Sequence, residues 1–173
     1  MRLLQRLSGS NDFTLVERFG KDIPPYAILS HTWGPDADEV TFSGLQNEQA
    51  MNNPGYNKLL FCSEQAAKDN LEYFWVDTCC IDKGSSTELT EAINSMFKWY
   101  QQSERCYALL SDVTIDGSAE DLTQQEWTRI FQGSRWFQRG WTLQELIAPK
   151  VVEFFFKRWE TTRRQGDTAA GSP

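Results

Sequence analysis

The sequence predicts an α/β fold in which a parallel sheet is flanked by helices, and three observations carry that prediction. Short apolar runs at 26–30 ("YAILS"), 73–77 ("YFWVD"), 105–110 (within "RCYALLSD") and 151–156 ("VVEFFF") have the length and composition of buried strands. Amphipathic stretches with helix-start signals lie between them. Strands that alternate with helices are joined by crossovers, so they pair in parallel.

Taken in order, "DFTLVERF" with Phe13, Leu15 and Phe19 reads as a strand, and "YAILS", directly after Pro24-Pro25, is the better one. The stretch "HTWGPDADEVTFSGLQNEQAMNNPG" is rich in Gly, Asn, Asp and Pro and reads as a loop, with "EVTF" as a short strand inside it. So long a loop in a compact domain is usually functional. Tyr56, Leu59, Leu60, Ser63 and Ala67 share a helical face, which predicts a helix over 57–69 that leads into "YFWVD". After "TCCIDKGSST", a capping box of Ser85 and Glu88 opens the clearest helix, with Leu89, Ile93, Met96, Phe97 and Tyr100 at apolar spacing. "CYALLSD" is the third core strand; Thr123 and Glu126 offer a second capping box for a helix that Gly133 stops. A helix containing Glu145 ends at Pro149, "VVEFFF" follows as the fourth core strand, and the polar residues 160–173 are expected to form a disordered tail beyond a single domain of 1–159.

A chain of 173 residues suits one domain, able to bury roughly 70% of its unfolded surface. Its 40% hydrophobic and 13% aromatic content, with seven tryptophans, argues for a packed core. A formal charge of −7 without a basic cluster argues against nucleic acid as a partner. The N-terminus lacks a signal-peptide core and no run of 18 apolar residues occurs, so the expectation is a cytoplasmic protein without a membrane partner. Cys62, Cys79, Cys80 and Cys106 show no CxxC spacing, which suits neither a disulfide framework nor a metal site, and reduced thiols are expected.

Ligands of parallel α/β sheets bind outside the C-terminal ends of the strands. The loops after Ser30, Asp77 and Ser111 and the helix after Ser134 therefore converge on one crevice, with Glu145 near its rim. Glu145 sits among apolar residues in "GWTLQELIAP", one turn after Trp141. A carboxylate so placed either points to solvent or is paired and used. His31, the only histidine, either faces the crevice or fastens its own loop. Trp33 either stacks on a base or anchors the core. Asp77 either binds ribose hydroxyls or caps the loop after it. Ser85 and Ser86 either hold a phosphate at a helix N-terminus or simply cap it, and capping is the simpler reading. Cys79 or Cys80 with His31 as base would make a cysteine hydrolase, but no oxyanion motif accompanies them.

Three stretches, "YAILSHTWG", "WVDTCCIDKGSSTELTEAINSMFKWY" and "SRWFQRGWTLQELIAP", closely resemble the three blocks of the HET domain, the fungal heterokaryon-incompatibility domain. The resemblance covers roughly residues 1–156. It implies a role in triggering cell death when genetically different cells fuse. HET domains are in turn distantly similar to Toll/interleukin-1 receptor (TIR) domains, whose flavodoxin-like sheet cleaves NAD in several lineages. That similarity implies strand order 2-1-3-4, with truncation after the fourth core strand. "WTLQEL" looks like the TIR "WCxxEL", with Thr142 in place of its cysteine, so Glu145 takes the place of the catalytic glutamate. Ser30, His31, Trp33, Asp77 and Trp141 would then line a nucleotide crevice.

Expulsion of nicotinamide from NAD releases a neutral base from a cation, so one carboxylate that stabilises the ribosyl cation is sufficient. The expected enzyme is an NAD nucleohydrolase with NAD as substrate and no permanently bound cofactor. Its partners would be further copies, assembled in part through the loop Thr78–Thr87, or other incompatibility proteins. The alternative is a non-catalytic adaptor that self-associates and signals without turnover.

Overall fold

The computed structural model describes residues 1–7, 10, 12–46, 50–114 and 123–156. The expected tail 160–173 and the end of the domain at 159 lie outside the described residues. Four apolar runs form the parallel strands β3 (Tyr26–His31), β4 (Tyr73–Trp75), β5 (Arg105–Leu110) and β6 (Val152–Phe156). β3 pairs in parallel with β4 and β5, and β5 with β6. Numbered along the chain, these four lie side by side in the order 2-1-3-4 that was expected, the flavodoxin-like arrangement. β3 is buried along its whole length because it has a neighbour on each edge and helices on each face.

Two antiparallel strands extend the sheet. β1 (Arg2–Arg6) pairs with β2 (Phe13–Glu17) and with β4, giving six strands in the order β2-β1-β4-β3-β5-β6. "DFTLVERF" was read as a strand and β1 was not. Leu3 and Leu4 are adjacent and both fully buried, so β1 lacks the alternation that marks a strand with one wet face.

Alternation along the strands sorts the helices. α2 (Tyr56–Lys68) covers one face, where Phe74 and Tyr56 meet Phe13 and where Phe61 and Tyr107 meet Phe155. α3 (Ser86–Gln102) covers the other, with Trp75 against Trp99 and Tyr100 and with the Tyr26 hydroxyl donating to the Trp99 carbonyl at 2.5 Å. On that second face, α4 (Gln124–Gly133) and the 3-10 turn Arg135–Gln138 bring Phe131 and Trp136 against Phe154 of β6. α5 (Thr142–Ile147) joins them beside α3. Among the described residues no helix is long and apolar enough to cross a membrane.

Local expectations fail at three places. "EVTF" is not a strand: Thr41 N-caps the short helix α1 (Phe42–Leu45), its hydroxyl accepting from the Gly44 amide at 3.0 Å. The second core strand stops at Trp75, because Cys79 and Cys80 fold back on Val76: the Val76 amide donates to Cys80 Sγ at 3.4 Å and the Cys80 amide to the Val76 carbonyl at 2.9 Å. Only half of the Ser85 capping box forms, since the Glu88 carboxylate turns away to the Asp82 amide at 2.8 Å and to Arg2. The helix over 57–69 forms as Tyr56–Lys68, and the box of Thr123 and Glu126 is complete.

Candidate functional site

At the C-terminal ends of β3 and β4, between α3 and α5, lies a cleft of about 490 Å³. Leu89, Ile93 and Met96 of α3 form one wall, and Thr32, Trp33, Asp77 and Lys83 come from the loops after the two strands. Arg139, Gly140, Trp141 and Glu145 close it from the other side. A smaller hollow of about 210 Å³ lies across Trp33, with Lys58 and Arg135 in its lining. A larger groove of about 630 Å³ beside Arg6, Asn70 and Glu72 sits at the opposite end of the sheet. Only the first two occupy the end where parallel α/β sheets bind ligands.

Glu145 forms the floor of the cleft, with 2% of its surface exposed. α5 is turned so that Thr142, Glu145 and Ala148 face inward while Leu143, Leu146 and Ile147 face out. Spacing of three residues explains the shared face. Burial of a carboxylate requires partners, and Glu145 has them. Arg139 donates from Nη1 to Oε2 at 2.8 Å and from Nη2 to Oε1 at 2.9 Å. Ser30 donates to Oε2 at 2.5 Å and itself accepts from Trp136 Nε1 at 2.7 Å. The Thr142 hydroxyl donates to the Trp136 carbonyl at 2.6 Å, which ties the start of α5 to the same tryptophan.

Trp33 stands at the rim, 47% exposed, and is held from two sides. Its indole N–H donates to Asp77 Oδ2 at 2.8 Å, and Lys83 Nζ lies 3.7 Å from its ring centre. Trp141, 46% exposed, is the second aromatic at the cleft. Behind Trp33, His31 is 1% exposed, with Nε2 3.7 Å from Glu39 Oε2 and Nδ1 3.8 Å from Asp77 Oδ1. Glu39 also accepts from the Gly34 amide at 2.6 Å and pairs with Lys58. Burial pushes the Glu39 carboxyl upward, but His31, Lys58 and Gly34 outweigh that and hold it at about 2, below its ordinary 4.5. The loop after β3 is thereby tied through Glu39 to its own Gly34 amide and to Lys58 of α2. Gly55 lets it sit down on the start of α2, since a Cβ there would collide with the Asp38 carbonyl oxygen.

Of the residues expected to line one crevice, Trp33, Asp77, Trp141 and Glu145 do meet in the cleft. Ser30 and His31 do not line it. They are consecutive in β3 and point to opposite faces of the sheet: Ser30 supports Glu145 from below, and His31 packs between Glu39 and Asp77, within 4 Å of each. Ser85 and Ser86 begin α3 away from the cleft, and Ser85 accepts from the Glu88 amide at 3.4 Å as an ordinary cap. The cysteine hydrolase reading fails on geometry. Cys79 and Cys80 are buried outside the cleft, and the Cys80 hydrogen bond together with burial pushes the Cys79 thiol up, away from thiolate. The four cysteines are free thiols, and no group of three or more His, Cys, Asp or Glu among the described residues is arranged to hold a metal ion.

Arg139, Lys83 and Trp136 are the participants that sequence reasoning missed. The available signal for Arg139 was chemical: a glutamate on the inward face of a short helix needs a cation, and "FQRGW" supplies one six residues earlier.

The family model described as "Heterokaryon incompatibility protein (HET)" matches residues 26–126. Vegetative incompatibility protein HET-E-1 of Podospora anserina is 53% identical over 155 residues, which is 90% of this chain and 11% of that protein. The chain thus spans about a tenth of the length of this relative. No solved structure matches the chain.

Proposed function

The chain belongs to the heterokaryon incompatibility family, and from that premise we propose that it triggers cell death in fungal non-self recognition by cleaving cytoplasmic NAD, with Glu145 as the catalytic carboxylate. The observation that carries this reading is the position of Glu145: a carboxylate on the floor of a mostly apolar cleft, at the ligand-binding end of a parallel sheet, between two exposed tryptophans. The cationic nicotinamide ring suits the faces of Trp33 and Trp141. As the glycosidic bond lengthens, positive charge moves from that ring to the ribose. A carboxylate held in orientation by Ser30 on the floor of the cleft stabilises the new charge. Asp77, with one oxygen on Trp33, has its second directed at His31, so its part is to set the aromatic wall.

The decisive measurement is release of nicotinamide from NAD by the clustered protein, alongside Glu145→Gln. Turnover should fall at least about 100-fold in the variant, the scale of losing a preorganised charge partner. Toxicity that survives Glu145→Gln, with no nicotinamide from either protein, would reject the enzyme reading.

A specific observation favours the second reading, a self-associating adaptor. Leu143 and Ile147 on the outer side of α5 are 68% and 62% exposed, an apolar face suited to a further copy or another incompatibility protein. Within the loop Thr78–Thr87, Thr78, Cys79, Cys80 and Ile81 are buried, which restricts any contact by that loop to Asp82–Thr87.

A further inference from the structure

Four charged side chains line the cleft, and they are held as two sets: Asp77 and Lys83 on either side of Trp33, and Arg139 on Glu145. The second set poses a problem for any chemistry at Glu145. Both carboxylate oxygens are occupied, Oε1 by Arg139 and Oε2 by Arg139 and Ser30. A carboxylate already neutralised by a bidentate guanidinium has little charge to offer a cation that develops above it.

We propose that Arg139 is the anion-binding residue of the cleft and that its pair with Glu145 is a latch, opened when the pyrophosphate of a dinucleotide draws the guanidinium away. The proposal rests on reading the cleft as a nucleotide site, and it adds how that site recognises its substrate class. Phosphate oxygens match the planar fork of arginine as well as a carboxylate does, so a phosphate is the ligand chemistry able to compete for it. Arg139 has room to move: it is 18% exposed, and beside it Gly140 faces open space. Ser30 gives the latch its direction. Anchored by Trp136 at 2.7 Å, it stays on Oε2 after the guanidinium leaves, so the carboxylate keeps its orientation and recovers its charge. A phosphate-free nicotinamide compound lacks the means to open the pair, so the resting protein is guarded against ligands that carry only the reactive half.

Two probes and three proteins test this by calorimetric titration. ADP-ribose carries the pyrophosphate and no nicotinamide bond; nicotinamide riboside carries the cationic ring and no phosphate. Glu145→Gln leaves Arg139 a neutral partner and should tighten ADP-ribose on the order of tenfold, within the ordinary range of coupling between linked equilibria. Nicotinamide riboside should gain nothing. The double variant Arg139→Gln/Glu145→Gln replaces the ion pair with a neutral amide pair, and it should bind ADP-ribose more weakly than the native protein. If Glu145→Gln binds ADP-ribose no better than native, or no protein binds it at all, the latch is overturned. Should the double variant fail to fold, the comparison of Glu145→Gln with native still decides. The ADP-ribose pattern without nicotinamide release would sustain the latch and reject NAD cleavage; release without the pattern would do the reverse.

Discussion

At the scale of single residues, the buried glutamates Glu39 and Glu145 solve the same problem with different partners, and each solution has a measurable consequence. Glu145 depends on Arg139, so Glu145→Gln removes charge and also loosens a buried pair. The bidentate contact sets the cost of this substitution at about 2 kcal/mol, the worth of hydrogen bonds to a charged group, discounted for the partial exposure of Arg139. Thermal melts of the two proteins measure it. Glu39 is held at about 2 by His31, Lys58 and the Gly34 amide. Because this folded value lies below the ordinary 4.5, its stabilisation is complete above that pH and fades as pH falls toward 2. Glu39→Gln should therefore lower the urea midpoint clearly at pH 7 and much less at pH 3. An equal loss at both would show that Glu39 acts through something other than its charge. Glu145 was legible as an anomaly in sequence because a lone acid among apolar residues breaks the pattern. Its partner was not, since an arginine in a turn violates nothing.

At the scale of elements, the helices were legible to within a residue wherever the chain carries its own start and stop chemistry. α2 ends in such a device. Asn70 adopts φ 58°, its amide donates to Ala67 at 3.2 Å, and the Leu71 amide donates to Ala66 at 2.8 Å, which together satisfy the last carbonyls. Asparagine tolerates that left-handed conformation and alanine does not. Asn70→Ala should accordingly cost about 1 kcal/mol while Asn70→Gly stays near neutral, as read by denaturant unfolding. The reverse ordering would mean that the side chain, and not the backbone, matters there. α5 shows where local reading ends. Its apolar residues Leu143, Leu146 and Ile147 point outward, because Thr142 and Glu145 are claimed by Trp136, Ser30 and Arg139. Tertiary hydrogen bonds set the rotation of that helix, and six residues hold too little periodicity to announce it.

At the scale of the whole molecule, the span that matches the family, residues 26–126, is smaller than the unit that folds. It contains β3, β4 and β5 but neither β1 nor β6, and Glu145 lies beyond it. β6 aligns with β5 over Cys106–Leu110, and its Phe154 closes the cluster around Trp136 that supports Ser30 and hence the floor of the cleft. β1 covers the other side: without it, the outer edge of β4 would present unpaired backbone groups. The parallel order was legible because each of its strands is an apolar run bounded by turn signals. β1 was not, because five residues with two adjacent leucines between arginines fit no single period. Leu4 tests whether β1 is part of the core or an attachment to it. It is fully buried and stands opposite Leu15 on one side and Phe74 on the other. In a core shared by the whole sheet, Leu4→Ala should cost about 2–5 kcal/mol and lower the single melting transition of the chain by roughly 5–15 °C. If tryptophan fluorescence, which reports Trp75, Trp99 and Trp136 in the body of the fold, melted unchanged while far-ultraviolet dichroism showed early loss of strand, β1 and β2 would instead be a separable hairpin resting on an independent parallel core.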